Sequence, residues 1–275
     1  MIIPITEKRK IPISIHFQLA GMLSTPPYDE QLVRYYERAY SHTAAEAERY
    51  ARWRALGARG KAEHVIELCT RAGLSPASTL EVGCGDGALL SELHRRGFGG
   101  RVEGIELSAT AAAIARSRTE IDRVEVYDGA HIAAPDRAYE LGVISHVLEH
   151  VRDPRALLAE TARACAAVVI EVPLEANASA RRASRRARSA AVGHLRRLDR
   201  EGARAIVAGA GLRTAGEVED PLPLDVQLFF ADSVRARLQA CARWGVRAGV
   251  HGLVPPLARR LFTVHYAALC LPRDA

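Results

Sequence analysis

One short segment limits the fold more than any other. Residues 79–82 (TLEV) read as a strand, and Gly83-Cys84-Gly85-Asp86-Gly87 follows at once. Residues 88–96 then carry helical patterning. A strand, a glycine-rich turn and a helix in immediate succession let the backbone reverse sharply and bring a ligand against bare peptide. Taken alone the signal is loose, because Gly83-x-Gly85-x-x-Ala88 also fits the dinucleotide pattern or a turn that only joins two elements.

The surrounding chain repeats the alternation. A helix is expected over 62–72, ending at Gly73, and a turn over 97–100. Strands are expected at 101–105, 124–127, 141–144 and 168–172, and a helix at 109–118 capped by Ser108. Asp153 followed by Pro154 marks the start of another helix, running to about Cys165. The apolar, uninterrupted runs at 141–144 and 168–172 suit strands buried on both faces. Strands alternating with helices predict an α/β fold: a Rossmann-like, doubly wound, mostly parallel sheet with helices on both faces. Past residue 200, the expected elements are helices at 200–208 and 233–243 and strands at 226–230 and 261–271.

Composition removes several classes. Apolar residues make up 48% of 275 and charged residues 25%, a globular balance that argues against disorder. No run of eighteen uncharged apolar residues occurs, so no membrane span is expected. The N-terminus carries charges within its apolar part, which argues against a secretory signal. The five cysteines are widely spaced and odd in number, so neither a disulfide framework nor a cysteine zinc site is expected, and a cytoplasmic location is. The net charge of +6 comes almost wholly from Arg, since Lys8, Lys10 and Lys61 are the only lysines. With Ala equally favoured, this looks like codon bias, and nucleic acid is not an expected partner.

Two acids refine the ligand. Glu81 stands two residues before the first glycine, where a carboxylate is awkward for a pyrophosphate but suits a cationic amine. Glu106 lies nineteen residues beyond Gly87, at the end of the next strand, where a carboxylate binds both ribose hydroxyls of a nucleoside.

The segments LEVGCGDGALL (80–90), VEGIELS (102–108) and ELGVISHVLEHV (140–151) resemble the three successive motifs of class I S-adenosylmethionine-dependent methyltransferases. VLEHV is similar to a stretch common in small-molecule members, and the resemblance covers about residues 61–215. It implies a seven-stranded sheet whose final strand is antiparallel, with the two expected C-terminal strands supplying its edge. It implies S-adenosyl-L-methionine as cofactor, its methionine part held by Glu81, Gly83 and Gly85 within the turn that also contains Cys84 and Gly87. Glu106 would take the ribose, with Leu107 beside the adenine, and Asp128, in Asp128-Gly129-Ala130, would receive the adenine amino group. Ser145 and His146 would adjoin the cofactor after the fourth strand. Glu140 replaces the family's usual Asp.

Methyl transfer is an in-line displacement, and a base is needed only when the acceptor carries a proton. His146 and His194 are the first candidates for that base. His194 belongs to Gly193-His194-Leu195-Arg196, which resembles a G-H-x-R element of relatives. Glu149, His150, Glu171 and Glu175 are further titratable candidates, with Glu149, His150 and Glu175 expected in the substrate pocket, and Glu149 and His150 also suit bracing of the turn. A metal is not expected. Its alternative ligand set is His146, Glu149, His150 and His194, since quinone-pathway and small-RNA methyltransferases that bind a divalent ion carry Glu-x-x-Glu-His here. This chain has His in place of the first Glu.

Residues 1–60 are expected as an N-terminal extension or cap and 61–275 as the methyltransferase domain. Within it, 61–175 form the cofactor core, 176–200 an Arg-rich lid or loop, and 201–275 the C-terminal helices and strands. Extended segments at 2–5 and 11–17 and a turn at Pro26–Pro27 open the cap. Its aromatics mostly pack, with Tyr28, Tyr36 and Tyr40 as pocket candidates, whereas His265 and Tyr266 are expected to be structural. The expected activity is methylation of an oxygen or nitrogen of a small molecule, with specialised metabolism as the expected setting. A metal-assisted O-methyltransferase, a non-catalytic sensor of the cofactor and an oxidoreductase stand as rivals, and a homodimer is left open.

Overall fold

The computed structural model describes residues 30–41 and 43–273. The extended segments expected at 2–5 and 11–17, the Pro26–Pro27 turn and Tyr28 lie outside the described residues.

Two helices come first, α1 (Glu30–Tyr40) and α2 (Ala44–Arg71). Thr43 and Glu46 start α2 with a reciprocal cap, in which the Glu46 carboxylate accepts from the Thr43 hydroxyl at 2.7 Å. The helix expected from residue 62 is thus the second half of a 28-residue helix, and the boundary expected at 60/61 falls inside it. Gly57 and Gly60 each weaken a helix interior by about 1 kcal/mol. Ala58, Ala62, Val65, Leu68 and Cys69 are buried along the same helix. Burying one Val or Leu side chain contributes about 1.5–3 kcal/mol, enough to carry α2 through both glycines.

The alternation then appears as expected: β1 (Ser78–Val82), α3 (Ala88–Arg95), β2 (Arg101–Glu106), α4 (Ala109–Arg116), β3 (Arg123–Val126), β4 (Tyr139–Ser145), α5 (Pro154–Ala164) and β5 (Cys165–Pro173). Asp153 caps α5, its carboxylate accepting from the backbone of Arg155 and Ala156 at 3.0 Å each. After α6 (Ala183–Ala191), formed within the Arg-rich segment, come α7 (Arg200–Gly209), β6 (Leu212–Asp220), α8 (Leu224–Leu228), α9 (Val234–Leu253), α10 (Pro255–Leu261) and β7 (His265–Pro272).

The C-terminal third corrects three expectations. Residues 226–230 are not a strand: α8 begins after Pro223, and Val226 is buried. The last strand starts at His265, because residues up to 261 belong to α10. The outer strand is β6, in which only Leu212 is buried. A half-exposed edge strand of sequence LRTAGEVED has no apolar alternation for a sequence reading to find.

The seven strands order as β3-β2-β1-β4-β5-β7-β6. Five pair in parallel from β3 to β5, and β7 is antiparallel to both its neighbours. The fold is therefore the Rossmann-like α/β sheet expected. One face packs on Leu157, Leu158, Ile206 and Val207 of α5 and α7, the other on α2 and α3. Strand order reverses between β1 and β4, so a crevice opens at their carboxyl ends. Among the described residues no helix is long and apolar enough to cross a membrane.

Candidate active site

The turn after β1 is built as its glycines require. Gly85 and Gly87 adopt φ of 55° and 76°, a region where a side chain is strained. A Cβ on Gly87 would sit 2.3 Å from Ile121 Cδ1, and one on Gly85 2.6 Å from the Tyr40 hydroxyl. The backbone N–H groups of Gly83 and Cys84 both donate to the Ile105 carbonyl, tying the turn to the end of β2. Glu106 completes the tie, its two oxygens accepting from Gly85 N at 2.8 Å and Ser108 N at 2.9 Å. Asp86 takes Arg54 Nε at 2.8 Å and Arg118 Nη2 at 3.2 Å, and the Arg54 guanidinium lies 4.7 Å over the Tyr40 ring. Glu37 accepts from Ala109 N at the start of α4. These contacts dock α1 and α2 over the glycine turn.

Beneath them lies a cavity of about 460 Å³, a volume that suits a small-molecule ligand. Glu81 lines it and is 4% exposed, and its Oε2 has no hydrogen-bond partner. Burial pushes this carboxyl up to about 8 against the opposing pull of Lys61. A buried, unpartnered carboxylate oxygen in a cavity wall is the complement of a ligand ammonium. Glu106 and Leu107 form the adjacent wall, together with Tyr127.

The far end of the cavity is an imidazole–carboxylate cluster. His146 stands just past β4 at φ 58°, its N–H donating to the Glu171 carbonyl at 2.9 Å. Its Nδ1 is 3.3 Å from Glu149 Oε1 and its Nε2 3.4 Å from Glu171 Oε1. His265 Nδ1 approaches the same Glu171 oxygen at 3.5 Å, and the two imidazole rings are 5.0 Å apart. His64 bridges Glu171 Oε2 at 3.6 Å and Asp220 Oδ1 at 3.5 Å. Burial and Lys61 oppose charge on His146, yet Glu149 and Glu171 outweigh them and hold its pKa above the usual value. Burial would raise Glu171, but His146 and His64 hold it well below the carboxylate range. His265 is pushed down to about 4 by burial and by His146.

A second group braces the turn after β4. His150 lies 3.2 Å from both the Tyr36 hydroxyl and the Gly193 carbonyl, at opposite ring nitrogens. His194 Nδ1 meets Glu175 Oε2 at 2.9 Å, and Ser189 donates to the same oxygen. Arg196 donates to the carbonyls of Leu148 at 2.6 Å, Arg152 at 2.9 Å, and Val151.

Of the residues expected from sequence, Glu81, Gly83, Cys84, Gly85, Glu106, Leu107, Ser145, His146, His150, Tyr36 and Tyr40 line the cavity. Gly87, Asp128, Gly129, Ala130, Glu149, Glu175 and His194 are not in its wall. Asp128 is exposed and spends its Oδ1 on the backbone of Ala130 and His131, which closes the loop after β3. The four donors expected as one alternative metal set divide: Glu149, His150 and His194 converge, while His146 converges with Glu171 and His265. His146 still touches the other group through Nδ1, 3.3 Å from Glu149 Oε1, while its Nε2 faces Glu171. His265, expected to be structural, lines the cavity, whereas Tyr266 is buried and donates to Glu217. Sequence reasoning also missed Lys61, His64 and Asp220, which line the cavity from α2 and the end of β6. No local motif marks them, so only the fold assembles them.

The Methyltransferase domain family matches residues 48–215. The chain belongs to that family. Ubiquinone biosynthesis O-methyltransferase of Cronobacter sakazakii is 34% identical over 102 residues, which is 35% of this chain and 40% of that protein. The enzyme of the same name from Thiobacillus denitrificans is 35% identical over 99 residues, 34% of this chain and 42% of that one. The chain thus spans about two fifths of the length of these curated relatives. Geranyl diphosphate methyltransferase in complex with SAM shares the fold, with a TM-score of 0.57 and 19% identity over 78% of this chain and 85% of that one. Geranyl diphosphate C-methyltransferase from Streptomyces coelicolor A3(2), bound to Mg2+, geranyl diphosphate and S-adenosyl-L-homocysteine, gives 0.54 and 19% over 78% and 77%.

Proposed function

We propose that this chain transfers the methyl group of S-adenosylmethionine to an oxygen of a small-molecule acceptor. The observation that carries the reading is the unpartnered, buried carboxylate of Glu81 in a cavity wall shared with the glycine turn and Glu106. Oxygen is favoured over nitrogen because the matching curated relatives are named O-methyltransferases.

The proposed roles follow from position. Glu81 takes the cofactor's ammonium, and Gly83 and Gly85 let the backbone approach its methionine part. Glu106, already aligned by Gly85 N and Ser108 N, takes the ribose through its remaining lone pairs. Leu107 and Tyr127 flank the adenine. When bound, the cofactor supplies an electrophilic methyl on a positively charged sulfur. Tyr36 and Tyr40 exclude water from above. His146 receives the acceptor proton at Nε2, and the imidazolium so formed lies between Glu149 and Glu171. His146 is preferred to His194 because His194 is outside the cavity wall and already bound to Glu175. In this proposal α1 and the first part of α2 act as a cap on the methyltransferase domain, and the unpaired cysteines suit the cytoplasm.

Incubation with methyl-deuterated S-adenosylmethionine and a mixed panel of phenols, alcohols and amines tests this, read by mass spectrometry. The expected result is a deuterated methyl ether with equimolar S-adenosylhomocysteine. Transfer to nitrogen or carbon overturns the assignment of the acceptor atom. Absence of transfer across the panel by protein that binds the cofactor favours a non-catalytic role.

A further inference from the structure

We infer that His146 Nε2, His265 Nδ1 and Glu171 Oε1 form a binding site for one zinc-class divalent ion at the end of the cavity. The two imidazole nitrogens converge on one carboxylate oxygen at 3.4 and 3.5 Å. Those separations are longer than an N–H···O hydrogen bond. They match the edge, roughly 3.3 Å, of a tetrahedron whose metal–ligand bonds are about 2.0–2.1 Å. Glu171 is 2% exposed, and both its Oε1 and His146 Nε2 lack a hydrogen-bond partner. A cation shared by the buried Nε2 and Oε1 would satisfy both.

The surroundings hold the donors in place. Glu149 Oε1 faces the other ring nitrogen of His146, Nδ1, at 3.3 Å, a placement that favours the proton at Nδ1 and the lone pair at Nε2. His64 steadies the other Glu171 oxygen and is backed by Asp220. The left-handed backbone of His146 is pinned to the Glu171 carbonyl, which holds the ring at this point. Two imidazoles and one carboxylate suit zinc and its neighbours better than magnesium. The other convergent group, Glu149, His150 and His194, is a weaker candidate: His150 has both nitrogens engaged, by Tyr36 and Gly193, and His194 Nδ1 is held by Glu175.

Both histidines line the cavity, so the fourth coordination position opens into it. Its ligand class is an ionisable hydroxyl, an assignment that rests on the methyl-transfer reading. An ion and a proton compete for His146 Nε2, so with the ion bound the metal would lower the pKa of the hydroxyl, whose proton passes to solvent instead of the imidazole.

The test is calorimetric titration of chelator-treated protein with zinc chloride, without cofactor, for wild type, His265→Ala, Glu171→Gln and His194→Ala. One equivalent per chain is expected for wild type and unchanged for His194→Ala. Loss of a direct ligand in the other two should weaken binding by about a hundredfold or more. Absence of a saturable single equivalent overturns the site, and so does full affinity in a folded His265→Ala. Should that variant fail to fold, wild type loaded with cobalt decides: intense visible absorption of a four-coordinate ion supports the site, and its absence overturns it. Titration of the same samples with S-adenosylhomocysteine separates the two readings. Nucleoside binding without zinc binding sinks only the ion site, and zinc binding without nucleoside binding sinks the methyl-transfer reading alone.

Discussion

Cofactor binding should expel a proton. Burial holds the Glu81 carboxyl at about 8, so near pH 7 it is protonated in about nine molecules of ten before ligand arrives. A ligand ammonium stabilises the ionised form, and binding at pH 7 then releases about 0.9 proton per site. Below pH 8 the affinity should rise about tenfold per pH unit, and above it the curve should flatten. S-adenosylhomocysteine carries the same ammonium and is a suitable probe. Calorimetry at pH 6, 7, 8 and 9 in two buffers of different ionisation heat measures the proton directly. Glu81→Gln should bind more weakly by about ten- to a hundredfold at pH 9, the worth of a charge-assisted hydrogen bond, and should lose the pH dependence. Equal heats in both buffers, with an affinity flat across this range, would refute the reasoning.

Three further outcomes follow from named contacts. Arg196→Ala removes the donors to the carbonyls of Leu148, Val151 and Arg152 and should cost about 2–4 kcal/mol, lowering Tm by roughly 5–10 °C; an unchanged Tm would show that water replaces the guanidinium. Gly87→Ala combines a left-handed backbone with a Cβ 2.3 Å from Ile121, so denaturant unfolding should register a loss of about 2–4 kcal/mol, and a loss under 0.5 kcal/mol would contradict that geometry. Burial opposes charge on His64, but Asp220 and Glu171 raise its pKa to about 10. Its contribution to stability is therefore complete below about pH 6.5 and lost as pH rises through about 10. The ionisation of Glu81, about half complete at pH 8, is common to both proteins and cancels in the comparison, so urea melts between pH 8 and 10 should show wild type losing stability and His64→Gln losing less; parallel profiles would sink the assignment.

The glycine turn and its two flanking acids were legible in the sequence because they are local. Glu81, the glycines and Glu106 lie within one strand–turn–helix–strand unit, where spacing alone places two acids at two strand ends. The far end of the cavity was not. Lys61 and His64 come from α2, Glu171 from β5, Asp220 from β6 and His265 from β7, and their meeting depends on β7 inserting between β5 and β6. A sequence window cannot show that insertion. Residues 226–230 misled because five apolar or amide residues fit a buried strand and one helical turn equally, and the prolines before them decided for the helix. Asp128 shows a second ambiguity: one of its carboxylate oxygens closes an Asx turn on the backbone of Ala130 and His131, which a sequence pattern does not distinguish from a ligand contact.

The account stands or falls on what occupies the cavity over the glycine turn. A crystal structure with S-adenosylhomocysteine measures that directly. The expected density puts the amino group against Glu81 and the ribose hydroxyls against Glu106. Density that seats the nucleoside elsewhere, or turns its ribose away from Glu106, would contradict it.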